Sequence, residues 1–145
     1  MKPGGGRGLP NVRAGVLDAG VVLARLDRQR RSHAEIVALL NASADGRIRL
    51  WISVVNLAEV LEHSRDYRRA TGVDPVALLD AFRISLHSPD IATARRVADL
   101  SDVPDASLGD RFAVATADIL GARLYTTDRS LERTLRKRRR TVTCF

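Results

Sequence analysis

Short apolar strands separated by amphipathic helices predict an α/β protein, a three-layer α/β/α sandwich around a central, mainly parallel sheet. Three observations carry that expectation. Apolar runs of strand length recur at residues 13–18, 49–53, 123–127 and 140–145, segments of helical period with N-cap residues lie between them, and two of the strands stop on an aspartate.

The first strand is read in AGVLDAG, ending at Asp18, and the following VVLARL begins a helix. Ser32-His33-Ala34-Glu35 has the spacing of a capping box and opens a second helix to about Ala44, closed by Asp45-Gly46. RLWIS, residues 49–53, is the second strand, and Ser53 is placed to cap a third helix, VVNLAEVLEHSR. Asp74-Pro75 reads as an N-cap followed by an N1 proline, opening VALLDAFRIS, with a short strand ISLHS at its end. Pro89-Asp90 opens IATARRVADLS, and Ser107 caps LGDRFAVATADIL, whose end is marked by Gly121. RLYTT is the next strand, Asp128 caps SLERTLRK, and RTVTCF is the last strand.

The 145 residues, 45% hydrophobic, suffice for one domain with a buried core. Residues 1–12 are expected to form a flexible tail and residues 13–145 the single domain. The Gly4-Gly5-Gly6 cluster is no phosphate loop, because no strand precedes it, no helix follows it and no Gly-Lys-Ser/Thr ends it. The N-terminal segment has no apolar signal region, and no run approaches the ~20 apolar residues that span a bilayer, so a soluble chain is expected. The single cysteine, Cys144, excludes an internal disulfide and a thiolate zinc site and fits a reducing cytoplasm. A net charge of +7 points to a polyanionic partner, nucleic acid before membrane surface. That 22 of the 24 cations are arginine suits phosphate recognition and reads equally as GC-rich coding bias.

In parallel sheets functional groups gather where the carboxyl ends of the strands meet a reversal of strand order. Asp18 and Asp128 each end a strand and share that edge if their strands are neighbours. Asp110 lies in the first turn of the helix from Ser107, about 200° round from an apolar face read as Leu108, Phe112, Ala115 and Ile119, and so points to an edge. Glu59 stands in the helix after the second strand, with Asn56 one turn before it. Each acid has a plainer reading as a helix cap or a solvated flank, since a negative charge at a helix N-terminus is stabilising by ~0.3–1 kcal/mol. Four acids on one edge, however, repel and raise at least one pKa unless a divalent cation or an arginine compensates. An all-oxygen site of this kind suits Mg²⁺ or Mn²⁺.

The segments VLDAGVVLARLD, ISVVNLAEVL, SLGDRFAVATA and GARLYTTDRSL, in that order and spacing, resemble a PIN-domain ribonuclease of the VapC toxin type. The resemblance runs from Val16 to Cys144. It implies that Asp18, Glu59, Asp110 and Asp128 form the family's acidic quartet, with Asp18 and Asp110 at the positions credited with the metal and Asp128 ligating directly or through water. It implies metal-assisted hydrolysis of RNA phosphodiester bonds, with Glu59 orienting or deprotonating the attacking water. A homodimer and a cognate antitoxin protein are implied as partners. Where the family often has a small hydroxyl residue two places after the first aspartate, this chain has Gly20.

Arg28, Arg30 and Arg31, and Arg65, Arg68 and Arg69, fall where they could line an RNA groove or form solvated basic faces. The run Lys137 to Arg140 could hold RNA backbone or complement a helix C-terminus. Thr127 and Asn56 are placed to give local hydrogen bonds to Asp128 and Glu59. Aromatic residues are few and fall in apolar segments, so a base-stacking platform is not expected. His33, His63 and His87 have no metal-ligand spacing, and Asp102, Asp105 and Asp118 read as exposed acids. Two other classes fit parts of this pattern: a non-catalytic basic module binding nucleic acid or protein, and a metal-dependent nuclease of structured DNA with the same fold.

Overall fold

The computed structural model describes residues 12–145. The tail expected over residues 1–12 lies, apart from Val12, outside the described residues. Strand β1 (Arg13–Leu17) leads through Asp18 into α1 (Ala19–Leu26), and a loop brings the chain to α2 (His33–Ala44). Strand β2 (Ile48–Ser53) is followed by α3 (Val54–His63), α4 (Arg65–Thr71), α5 (Val76–Ala81) and the edge strand β3 (Ser85–His87). Then come α6 (Ile91–Asp99), α7 (Leu108–Leu120), β4 (Arg123–Thr126), α8 (Arg129–Lys137) and β5 (Val142–Cys144). No helix among the described residues is long and apolar enough to cross a membrane.

The five strands form one sheet in the order β3-β2-β1-β4-β5, and every pairing is parallel. Parallel strands need crossovers, and the helices that make them cover both faces. Side-chain alternation divides the core accordingly: Val16 and Leu124 pack with Val97, Val114, Leu131 and Leu135, whereas Leu17, Leu50 and Ile52 pack with Val21, Ile36, Leu40 and Val60. Chain order runs outward from β1 through β2 to β3 on one side and through β4 to β5 on the other. The reversal therefore falls between β1 and β4, and it places the crevice at their carboxyl ends.

Most helix starts form as the sequence predicts. Ser53 accepts from the Val55 amide, Asp90 and Thr93 make a reciprocal capping box, and Ser107 makes one with Asp110. Ser32 does not cap α2. Its backbone is already near helical geometry (φ −86°, ψ 5°), so its hydroxyl is turned from the helix and accepts from Arg30 Nε at 3.3 Å. The helix expected from Val76 to Ser85 stops at Ala81, because Arg83 adopts a positive φ of 53° and buried Ile84 turns the chain into β3.

The buried stripe of α7 also differs from the expected one. Leu108 and Ile119 are exposed, at 56% and 44%, while Phe112 and Ala115 pack inward as expected and the helix also buries Gly109, Ala113, Val114, Thr116 and Ala117. A face of small residues lets the helix lie close on β1 and β4, which bulkier leucine and isoleucine would prevent. Asp110 thus stands above the buried stripe, one turn before Ala113 and Val114, at the open end of the helix.

Gly15 in the central strand is a close approach of the same kind. A Cβ there would meet the Tyr125 ring at 2.6 Å and the Leu50 side chain at 2.9 Å. Gly15→Val is expected to destabilise the domain by about 1–3 kcal/mol through overpacking, read as a lower urea midpoint with an unchanged m-value. An unaltered midpoint would show that the ring has room to move.

Candidate active site

The carboxyl edge of the sheet brings the strand-end acids together as their places in the chain require. Asp18 follows the central strand and is 6% exposed. Its two oxygens are held separately: Oδ1 accepts from the Ala19 amide at 2.8 Å, and Oδ2 accepts from the Thr126 hydroxyl at 2.9 Å. Burial, followed by the negative charge of Asp110, pushes its carboxyl from 3.8 up to about 6. Glu59 adds to the upward push, and the bonds from Thr126 and Ala19 oppose it.

Glu59 reaches the same edge from the second turn of α3. Its Oε2 accepts from Asn56 Nδ2 at 3.1 Å, and the same amide nitrogen donates to the Gly109 carbonyl at 3.0 Å. Asn56 is fully buried and so ties α3 to the start of α7. The Glu59 carboxylate lies directly against Gly109, in the space that a side chain at that position would occupy. One residue further on, Asp110 Oδ2 accepts from the Ser107 amide at 2.9 Å, which fixes its side chain while its other oxygen has no protein donor.

Asp128 is placed differently. Its Oδ1 accepts from the Ser130 and Leu131 amides at 2.9 and 3.1 Å, so it caps α8. Thr126 joins the two strand ends, donating to Asp18 and accepting from the Asp128 amide at 3.1 Å. Asp110 and Glu59 thus both raise the Asp18 carboxyl, and Asp128 caps α8 at the next strand end. No three acid, imidazole or thiol groups among the described residues converge tightly enough to enclose an ion by themselves.

Of the two hydrogen-bonding residues anticipated from the sequence, Asn56 does bind Glu59, but Thr127 does not bind Asp128. That bond belongs to Thr126, one residue earlier on the inward parity of β4, which Leu124 shares. A buried hydroxyl ending an apolar strand was the available signal for it. Thr127 instead lays its Oγ1 over Gly20, filling the place where a residue with a side chain would stand. Asp118 takes no part in this edge, since it pairs with Arg96 and Arg140 near the opposite end of α7.

The donor set suits a hard divalent cation. Every candidate ligand is a carboxylate oxygen, Asp110 and Asp128 each keep one oxygen without a protein partner, and no arginine or lysine is ion-paired with any of the four acids among the described residues. Mg²⁺, which retains several waters and binds through one or two carboxylates, does not require a closed protein cage.

The PIN domain model matches residues 15–137. No curated protein matches the chain. Among solved structures, VapBC2 from Rickettsia felis, bound to a DNA fragment from its promoter, is similar with a TM-score of 0.66 at 15% identity, covering 90% of this chain and 98% of that one. VapC20 of Mycobacterium tuberculosis, a sarcin–ricin-loop-cleaving toxin, is similar with a TM-score of 0.62 at 14% identity over 82% of this chain and 93% of that one. VapBC-1 from nontypeable Haemophilus influenzae gives 0.58 at 15% identity over 90% and 97%. At these identities the likeness is one of fold, and it agrees with the five-stranded parallel sheet described above. The family match spans all four acids, and with it the chain belongs to the PIN domain family.

Proposed function

We propose that this protein is a Mg²⁺-dependent endoribonuclease, with Mn²⁺ as a possible substitute, and that it is the toxin of a toxin–antitoxin pair. The observation that carries the reading is the buried carboxyl of Asp18, pushed up to about 6 by burial and by the neighbouring charges of Asp110 and Glu59. A fold that needed these acids only as caps would gain nothing from crowding their charges at one strand end. Asp18 and Asp110 are the residues that would hold the cation, with Asp128 ligating directly or through water. When bound, the cation polarises a phosphoryl oxygen and lowers the pKa of a coordinated water.

The chain's own groups then orient and move the proton. The Ala19 amide and the Thr126 hydroxyl hold the Asp18 oxygens in place, and Ser107 does the same for Asp110. Glu59, steered by Asn56 and by contact with Gly109, accepts the proton of the attacking water. RNA as the substrate is supported by the +7 net charge and by the likeness in fold to a toxin that cleaves the sarcin–ricin loop. An antitoxin and a second copy of the chain are the proposed protein partners. Leu86 on the edge strand and Ile91 and Leu108 at the first residues of α6 and α7 are exposed at 46%, 72% and 56%, apolar surface of a kind that protein interfaces use.

Incubating the purified chain with total RNA in Mg²⁺, Mn²⁺ or EDTA and mapping new 5′ ends tests the activity. Asp18→Asn and Asp110→Asn should each abolish metal-dependent cleavage and the rise in melting temperature produced by Mg²⁺. Full cleavage by both variants would remove these residues from the mechanism. Gly109→Ala should fold but displace the Glu59 carboxylate, lowering cleavage about 10–100-fold with the Mg²⁺-induced stabilisation kept. Equal loss of both would show that Glu59 holds the ion rather than serving as base.

The pH dependence of the metal-free fold follows from the raised pKa of Asp18. Between the unfolded value of 3.8 and the folded value of about 6, the folded chain binds more protons than the unfolded one. Stability from this group is therefore greatest below pH 4 and falls as pH rises to about 6, by about 3 kcal/mol in all. Asp18→Asn should be more stable than the parent at pH 7, and the gap should close towards pH 4. Denaturant titrations at the two pH values check this, and a constant gap would refute it.

A further inference from the structure

Beside the acidic edge, on the β4–β5 side, lies a cavity of about 410 Å³ whose wall includes Arg30, Arg31, Arg129, Thr127, Glu35 and Phe145. Three arginines line one space, and none of them forms an ion pair among the described residues. Arg30 is held by its Nε bond to Ser32 Oγ at 3.3 Å. Glu35 is the one acidic side chain on the wall, so the arginines outnumber it. A second cavity of about 430 Å³, at the far end of α7, is lined by Arg123, Arg139, Arg140 and Asp118, of which Arg140 and Asp118 pair with each other. Arginine is in excess at both ends of the sheet, and what sets the carboxyl-end cavity apart is that its acidic residue pairs with none of its arginines and that it adjoins the acidic edge.

The two carboxyl-edge features share a wall. Thr127 lines the cavity, its hydroxyl lies on Gly20 two residues after Asp18, and the next residue is Asp128. Arg129, the first residue of α8, follows at once. Phe145 is fixed in the wall beside Thr127: its amide donates to the Thr126 carbonyl at 3.0 Å, its ring is stacked on Tyr125 with centroids 6.0 Å apart, and it packs against the core on that side of the sheet. Planar arginine forks around a ligand-sized space beside a fixed aromatic ring suit a phosphodiester with its nucleoside.

We infer that this cavity is a substrate subsite, in which Arg30, Arg31 and Arg129 hold a backbone phosphate of a single-stranded RNA flanking the cut and Phe145 lies against the adjoining nucleoside. The inference rests on the reading of the acidic edge as an RNA nuclease. The strand passes from the acids over Thr127 into the cavity, so the arginines position RNA and take no part in the chemistry.

The test is fluorescence anisotropy of a labelled single-stranded RNA oligonucleotide with the full chain in EDTA, over a series of salt concentrations. Arg30→Gln/Arg31→Gln, both exposed loop positions, should lower the salt slope of binding by about 0.7, the one phosphate contact that the pair helps to make on a single strand. Arg47→Gln/Arg49→Gln, at the start of β2 on the opposite edge, removes the same charge and should leave the slope within error. Phe145→Leu should weaken binding without altering the slope. Equal shifts for the two arginine pairs, or none for the first, would overturn the subsite. Loss of binding to an acidic peptide with RNA binding unchanged would reassign the cavity to a protein partner and overturn it too. The nuclease reading fails separately: a wild-type chain that cleaves no RNA but keeps the arginine-dependent slope sinks the activity and leaves the RNA-binding cavity standing.

Discussion

A carboxyl group buried at the end of the central strand is the constraint around which this molecule is arranged. Asp18 can occupy the reversal of strand order only by following β1, and there its charge must be met inside the protein. The protein meets it in part, with the Ala19 amide on one oxygen and the Thr126 hydroxyl on the other. Those two bonds lower the pKa, yet burial and the charge of Asp110 outweigh them. The remainder is an unfavourable electrostatic energy that the fold carries and that a bound cation would relieve. Local arrangements that weaken a fold persist where function needs them, and here the arrangement sits at the topological centre of the sheet.

Bringing a second and a third carboxylate to that point depends on space, and glycine and alanine supply it. Gly109 lets the Glu59 carboxylate lie directly on the backbone of α7, while Asn56 binds both the carboxylate and the Gly109 carbonyl. Ala113 and Ala117, further along the same stripe, let α7 settle onto the sheet, so that Asp110 arrives near Asp18. Gly15 does the equivalent within the sheet by admitting the Tyr125 ring. The distances between functional groups are therefore set by residues that have no functional groups.

Much of this was legible in the chain itself, because strand ends and helix caps are local signals. Asp18, Asp110 and Asp128 each stand at a boundary that one strand or one cap defines, and the parallel α/β class follows from the alternation of those elements. Register and helix rotation are not local. Of the α7 stripe of Leu108, Phe112, Ala115 and Ile119, Phe112 and Ala115 do pack inward but the two ends face solvent, since hydrophobicity favours large residues and tertiary packing selected small ones. The neighbouring threonines were misassigned for a similar reason: Thr126 and Thr127 differ only in which side of β4 they face, and only pairing with β1 decides that. The cavity on the β4–β5 side was least legible, as its arginines come from the α1–α2 loop and from α8, about a hundred residues apart in the chain.

The distribution of ion pairs ties these features to one another. Near the amino end of the sheet, Asp118 pairs with both Arg96 and Arg140, and Asp102 pairs with Arg138, so the basic run from Lys137 to Arg140 is partly spent on structure. At the carboxyl end, four acids have no cationic partner among the described residues, and Arg30, Arg31 and Arg129 have no acidic one. Opposite charges set this near and yet unpaired are held apart by rigid elements, the end of β4 with Thr127 over Gly20 on one side and the capped start of α8 on the other. Were they free to meet, a surface pair would gain at most about 1 kcal/mol and the edge would close on itself. Kept separate, the acids remain open to a cation and the arginines to an anion, and under the proposed function a phosphodiester strand with its metal ion would supply both charges in one ligand.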